Sequence, residues 1–150
     1  MAATKLNALR QVVIDLATVY PGLTANNEIY LVPRIKAVES MAPLEIQICE
    51  GSSAYTAHDS CRSEDFEILV GIFRKYRLDS DGRHAKALAD LTLSIFKLKE
   101  TTVDILAGKF LSDLLTRPLV ITGETAVTEP ADGQLLKILS FIAGLNTEMT

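Results

Sequence analysis

The most reactive side chains in this chain belong to two cysteines, Cys49 and Cys61, and two histidines, His58 and His84. Together they are the ligand types of a zinc site. Eight residues separate Cys49 from His58, and two separate His58 from Cys61. Paired ligands of compact zinc sites usually lie about two to four residues apart. We therefore predict no metal site, and interpret Cys49 as a buried thiol on a strand. His58 and Cys61 are then exposed loop residues, and His84 belongs to the first turn of a helix.

A catalytic pair of Cys61 and His84 has no better support. Nucleophilic catalysis requires a base near the nucleophile and a third group that orients the base, and the sequence offers no candidate for that group. Acidic residues that lie close together, such as Glu64 with Asp65 or Asp79 with Asp81, are typical of helix caps and solvated loop tips. Phosphate-binding glycine loops, nucleophile elbows and zincin motifs do not occur. We predict no catalytic, cofactor-binding or metal-binding residue, no cofactor, and no enzyme.

The stretch from Arg74 to Lys86 is locally basic. Nearby acidic residues offset its charge, which favours a solvated face; the alternative is a charged subunit interface, where complementary patches fix the register of the contact. The patch has no aromatic stacking platform of the kind that binds single-stranded nucleic acid. The net charge of −4 also opposes general DNA binding, which depends on an excess of cations. The basic residues are Arg74, Lys75, Arg77, Arg83 and Lys86.

The composition is that of one globular domain covering residues 1–150, with 48% hydrophobic and 23% charged residues. No apolar run approaches the roughly 20 residues needed to span a bilayer. The N-terminal stretch carries Asp15 within its apolar part, so we interpret it as a helix and not as a signal peptide. Two cysteines do not make a disulfide framework, which favours a reducing compartment.

The first half of the chain predicts a helix and two strands. The helix extends from a Thr4 cap to Pro21, and its apolar residues cover more than one face, so we expect it to pack on a sheet and on a neighbouring subunit. Residues 29–38 contain Pro33, which predicts an edge strand or an extended arm. Residues 44–50 alternate cleanly as a strand, with Ile46 and Ile48 on one side.

The rest of the chain predicts a polar loop, a central strand, a long helix and a hairpin. The loop covers residues 51–65 and should be mobile, and the strand that follows has Ile68 and Val70 on one face. Ser80 or Asp81 then caps a long helix. A short second helical segment, residues 103–115, follows it and is broken near Gly108. Two C-terminal strands are joined by a turn at residues 129–133. The helix stripe that should cover the sheet is Ala85, Leu88, Leu91, Ile95 and Leu98.

These elements predict an α+β fold: an antiparallel sheet of about four strands, with an N-terminal helix and a long central helix packed on it. Leu88, Leu91 and Ile95 should lie against the sheet face made by the four apolar strand residues Ile46, Ile48, Ile68 and Val70.

The order of these elements resembles the tail terminator, or tail completion, proteins of long-tailed bacteriophages, the minor tail protein U-like group. The resemblance covers nearly the whole chain. It depends on the strand "PLEIQICEG", the polar loop, the strand "DFEILVGIFRKYR", a linker with Asp and Gly, a long amphipathic helix, and the end "LLKILSFIAGL". The family's Pro-led strand pattern corresponds to Pro43, Leu44, Ile46 and Ile48. The segment 29–38 and the break at Gly108 fit the pattern less clearly.

The resemblance implies a structural virion protein of the tail and neck, assembled in the host cytoplasm. Such proteins form a ring, in most cases a hexamer, that caps the tail tube, ends its polymerisation and joins the tail to the head connector. The implied partners are further copies of the chain, the tail tube protein and a head-completion protein, with DNA passing through the lumen without specific recognition. Alternatives are another head–tail neck or adaptor protein, or a small α+β ligand-binding protein or enzyme.

Overall fold

A computed structural model describes residues 5–19, 28–37, 44–58, 61–75 and 117–148. These ranges contain one helix and six strands. The helix is α1 (Lys5–Val19). The strands are β1 (Ile29–Leu31), β2 (Leu44–His58), β3 (Cys61–Lys75), β4 (Arg117–Glu124), β5 (Thr128–Ala131) and β6 (Gln134–Glu148).

All six strands belong to one mixed sheet with the order β1-β2-β3-β6-β4. β1 is parallel to β2, whereas β2 with β3 and β3 with β6 are antiparallel. β5 also pairs with β6, next to the Gln134 end, so β4 and β5 form one interrupted edge. β2, β3 and β6 have fifteen residues each, and a strand of that length spans about 50 Å.

One face of the sheet, which we call the helix face, packs on α1. Successive strand side chains point to opposite faces, so Ile46, Ile48, Ile68 and Val70 all point to this side and are fully buried. α1 buries a stripe with helical spacing against them. The stripe is Ala8, Leu9, Val12, Val13 and Leu16.

The opposite face, which we call the arm face, is covered in part by the segment that follows β1. The side-chain amide of Gln47 accepts a hydrogen bond from the Lys36 N–H (3.0 Å) and donates one to the Lys36 carbonyl (2.9 Å). This pair of bonds holds the segment as a neighbouring strand would. Ile35 then lies directly over Gly71, where a Cβ atom would be 2.8 Å from the Ile35 Cγ2. Gly71 therefore leaves the room that the arm needs.

A β-bulge divides β2 into two parts. Glu50 pairs with Ile68 and Ser53 pairs with Phe66, so Gly51 and Ser52 together oppose the single residue Glu67. The Glu67 side chain occupies the space beside Gly51 that a Cβ would fill. A bulge adds one residue to a strand, so after it the odd-numbered residues of β2 share the helix face.

The hairpin between β5 and β6 turns at two residues, Asp132 and Gly133, since Ala131 pairs with Gln134. Gly133 has a φ of 76°, a left-handed conformation that glycine adopts without steric cost. A turn is thus confirmed within the predicted range 129–133, at residues 132 and 133. Residues 129–131 belong to β5.

The predicted fold class is wrong. The described ranges hold six strands in a mixed sheet, including a parallel pair, instead of about four antiparallel strands, and α1 is the one helix among them. The predicted long central helix, with its cap at Ser80 or Asp81 and its stripe Leu88, Leu91 and Ile95, lies outside the described residues. The helix that the structure packs on the predicted sheet face is α1.

The predicted polar loop at 51–65 is also wrong. Residues 51–58 and 61–65 extend β2 and β3, and their pairing continues to His58 opposite Cys61. These residues are polar, which obscures the strand in the sequence, but β6 pairs with β3 along the same length and supplies the missing neighbour. The N-terminal helix, the edge strand before Pro33 and the shared face of the four apolar strand residues are confirmed.

No helix within the described ranges is both long enough and apolar enough to cross a lipid bilayer.

Truncating Ile68 to Ala should lower the free energy of unfolding by roughly 2–5 kcal/mol, because a fully buried side chain is lost from the helix face. Val120→Ala is the matched control, since Val120 is 55% exposed on β4 and should change stability by less than about 0.5 kcal/mol. Urea unfolding followed by circular dichroism measures both. Equal effects of the two substitutions would contradict the assignment of the core.

Candidate functional site

The most concentrated polar site among the described residues surrounds the side chain of Lys5, at the start of α1 in the described chain. Its ammonium group lies 2.7 Å from Glu50 Oε1 and 3.2 Å from Ser53 Oγ, and donates a hydrogen bond to each. Glu64 Oε2 is 3.0 Å away. The site joins residues that are far apart in sequence but adjacent on the helix face of β2 and β3.

Two aromatic rings complete this Lys5 site. The ammonium lies 5.9 Å from the ring centroids of both Tyr55 and Phe66, a distance at which a cation is attracted to the ring face. The Arg62 guanidinium is 5.0 Å from the Tyr55 ring on the same side of the hairpin. Phe66 is fully buried, whereas Tyr55 is 55% exposed. The site thus lies where the core ends and the exposed tip of the sheet begins.

The electrostatics of the Lys5 site oppose a role in nucleophilic or base catalysis by this lysine. Hydrogen bonding to Glu50 is the largest influence and raises the pKa of Lys5; burial lowers it, and Glu64 raises it further. A lysine that acts as a nucleophile or base needs a lowered pKa instead. Lys5 therefore stays protonated and neutralises Glu64, whose side chain is only 7% exposed. The arrangement ties the beginning of α1 to the sheet.

The structure separates the residues of the rejected zinc site. Cys49 is buried on β2, as predicted, and burial raises the pKa of its thiol. His58 and Cys61 face each other across the β2–β3 hairpin as paired strand residues, not as loop residues. Nine positions along one strand separate Cys49 from His58, which amounts to roughly 30 Å. Cys49 therefore cannot share a site with them, and His84 lies outside the described residues.

The predicted charged clusters are only partly described. Arg74 is half-buried in β3 and Lys75 is the last residue of that strand, whereas Arg77, Arg83 and Lys86 lie outside the described residues, as do Asp79 and Asp81. Glu64 is not at a solvated loop tip, because it is a buried strand residue beside Lys5. Within the described ranges, no group of three or more His, Cys, Asp or Glu side chains could hold a metal ion.

A second buried acid lies on α1. Asp15 is 3% exposed, and its Oδ1 accepts a hydrogen bond of 2.7 Å from the Gln11 side-chain amide. Burial raises the pKa of Asp15, and the bond from Gln11 only partly opposes that rise. In the sequence, Asp15 argues against a signal peptide; in the structure, it is a carboxyl group that the fold holds away from water.

The Lys5 site could not be inferred from the sequence. Its members are 45 or more positions apart from Lys5, and no spacing rule connects a helix residue to a particular strand residue at that distance. One local signal was present: Gly51 next to Ser52 in an alternating strand is typical of a bulge, and the bulge brings Ser53 and Tyr55 to the helix face.

No protein-family model matches this chain, and no curated protein matches it significantly.

Replacing Lys5 by Met should reduce the free energy of unfolding by about 1–3 kcal/mol, because the buried Glu64 carboxylate loses its cation. The double variant Lys5→Met with Glu64→Gln should be less destabilised than the sum of the two single variants, since the residues are coupled. Glu50→Gln is the control and should cost less, because Glu50 is partly exposed. Additive effects in urea unfolding would show that Lys5 and Glu64 do not interact.

Asp15→Asn should stabilise the protein at neutral pH. Because the folded pKa of Asp15 is raised, the folded state binds its proton more tightly than the unfolded chain, so stability falls as pH rises above about 4 towards the folded pKa. Asparagine stays neutral and can still accept the bond from Gln11. The stability difference between variant and wild type should vanish at acidic pH, as urea unfolding across a pH series would show. A variant that is less stable at neutral pH would contradict this.

Proposed function

We propose that this chain is a structural protein of a bacteriophage tail, a tail terminator whose copies form a ring that caps the tail tube. The resemblance to tail terminator proteins implies that the ring is a hexamer. The ring ends polymerisation of the tube and joins the tail to the head connector. Its partners are other copies of the chain, the tube protein and a head-completion protein, and it belongs to the virion.

The observation that carries the proposal is the length of the central strands. β2, β3 and β6 continue past the core that α1 covers, whose last buried apolar member on this side is Leu145, opposite Glu64. At the Lys5 site and next to it, Ala54, Tyr55 and Thr56 of β2 are exposed. Among the described residues, the strands continue beyond this core as a three-stranded ribbon of residues 56–58, 61–63 and 146–148. A ring subunit needs an extension of this kind to reach its neighbours or the tube below.

The outer side of α1 supports a contact between subunits. Leu6 and Ile14, two helical turns apart, are 47% and 53% exposed while the opposite side of α1 is buried. Exposed apolar residues on one side of an element are typical of interaction surfaces. The net charge of −4 also suits a lumen through which DNA slides, because a basic surface would hold the phosphates.

One observation favours a second candidate, a head–tail neck or adaptor protein. Proteins of that class are more often all-β barrels or helical than α+β, and the described ranges contain six strands and a single helix. The two functions predict different defects. Loss of a terminator leaves tubes of uncontrolled length, whereas loss of an adaptor leaves tails of normal length that do not attach to heads.

Electron microscopy of phage that lack this protein tests the proposal. We expect tails of irregular length and no ring at the head-proximal end, and wild-type protein supplied in trans should restore both. Tails of uniform length without heads would favour the adaptor instead. Normal particles would overturn both functions.

Two variant pairs test the contact made by α1. Leu6→Glu with Ile14→Glu should prevent ring formation and leave the fold intact, because both residues are exposed and glutamate is compatible with a helix. The matched control is Val120→Glu with Ile121→Glu on β4, where both residues are also exposed. Protein that carries this control pair should still form the ring and restore normal tails. If the two pairs behave alike, the outer side of α1 is not the ring contact.

A further inference from the structure

The two lateral edges of the sheet differ in their protection against pairing with another strand. The β4–β5 edge contains Pro118 and Pro130, and proline has no N–H to donate. Its pairing with β6 shifts register twice within β4 and again within β5. Prolines and bulges are the devices by which natural sheets prevent edge-to-edge association. This edge is therefore blunted.

The other edge, formed by β1 and β2, is protected against pairing with another strand over only part of its length. β1 covers Ile46–Ile48 of β2, and beyond the bulge Ser53–His58 pairs with β3 in unbroken register. Among the described residues, no strand pairs with the outer side of Ser53–His58. Residues 51–58 contain no proline, Asp, Glu, Lys or Arg. This edge segment, Ser53–His58, thus presents regular backbone N–H and C=O groups without the usual protective features.

We propose that the edge segment is a homotypic contact site, at which β2 of one copy pairs antiparallel with β2 of a second copy across a two-fold axis. The absence of charged residues is what favours a second copy: self-pairing places every side chain beside a copy of its own segment, and like charges there would oppose the contact. With the axis at Tyr55, that exposed ring lies opposite its own copy, and Ala54 lies opposite Thr56 of the second copy.

The pairing of aromatic residues directly across two strands adds to the contact. The Lys5 ammonium and the Arg62 guanidinium lie over the Tyr55 ring, 5.9 Å and 5.0 Å from its centroid, and both contacts favour one orientation of the ring before association. The contact joins two sheets into one continuous sheet. It is independent of the proposed function, because an isologous contact closes at two copies whereas a ring requires a heterologous contact.

Sedimentation velocity of the full chain over a concentration series provides the test. We expect the wild type to dimerise reversibly. Ala54→Lys with Thr56→Lys places lysines opposite each other twice across the axis and should weaken the dimer about tenfold or more. Ala54→Lys with Thr56→Glu is the matched control: it introduces the same number of charges, but each lysine lies opposite a glutamate, so the dimer should be restored.

Three outcomes would overturn the proposal. The first is a wild type that stays monomeric up to its solubility limit. The second is an oligomer of any size that the double-lysine variant does not weaken. The third is a lysine–glutamate variant that is as weak as the double-lysine variant, which would exclude the pairing of residue 54 with residue 56. Urea unfolding of both variants confirms that each is folded, because Ala54 and Thr56 are exposed and their replacement should cost little stability.

Discussion

The pairing of β3 with β6 is the constraint on which the rest of this structure depends. Every residue of β3 from Cys61 to Lys75 pairs with a residue of β6, in a single register without a shift. Because side chains alternate between faces, that register places Phe66 beside Ala143 and Ile68 beside Phe141 on the helix face. A slip by one residue would turn the whole apolar set outward, so the buried side chains and the register specify each other.

The bulge in β2 adjusts this regular arrangement to the polar tip. Without the extra residue at Gly51–Ser52, Ala54 and Thr56 would share the helix face. With it, Ser53 and Tyr55 lie there and meet Lys5 together with Glu50 and Glu64 on the same surface. One irregularity thus allows the beginning of α1 to be tied to the part of the sheet where the apolar core ends, beside Phe66. The tip remains ordered strand because of that tie and the ladder to β6.

The surface of the molecule has parts that differ in how readily they can bind another protein chain. The β4–β5 edge is irregular and carries prolines, whereas the tip of β2 is regular and uncharged, and the outer side of α1 exposes Leu6 and Ile14. The isologous contact proposed at the edge segment and the heterologous contact proposed through α1 involve different residues.

Local patterns in the sequence determined several elements correctly. Helical spacing of apolar residues predicts α1, and Pro33 predicts an edge strand at β1. Alternation predicts that Ile46, Ile48, Ile68 and Val70 share a face, and the proline and glycine within residues 129–133 predict the turn of the last hairpin. Each of these depends on residues close together in the chain. The polar stretches 51–58 and 61–65 lack such a pattern and were predicted as a loop. Only the tertiary structure decides that they are strands, because their stability comes from β6, some eighty residues further along, and from Lys5. The parallel alignment of β1 with β2 involves residues only seventeen positions apart, but neither alternation nor a turn signal in the sequence specifies whether two such strands pair parallel or antiparallel.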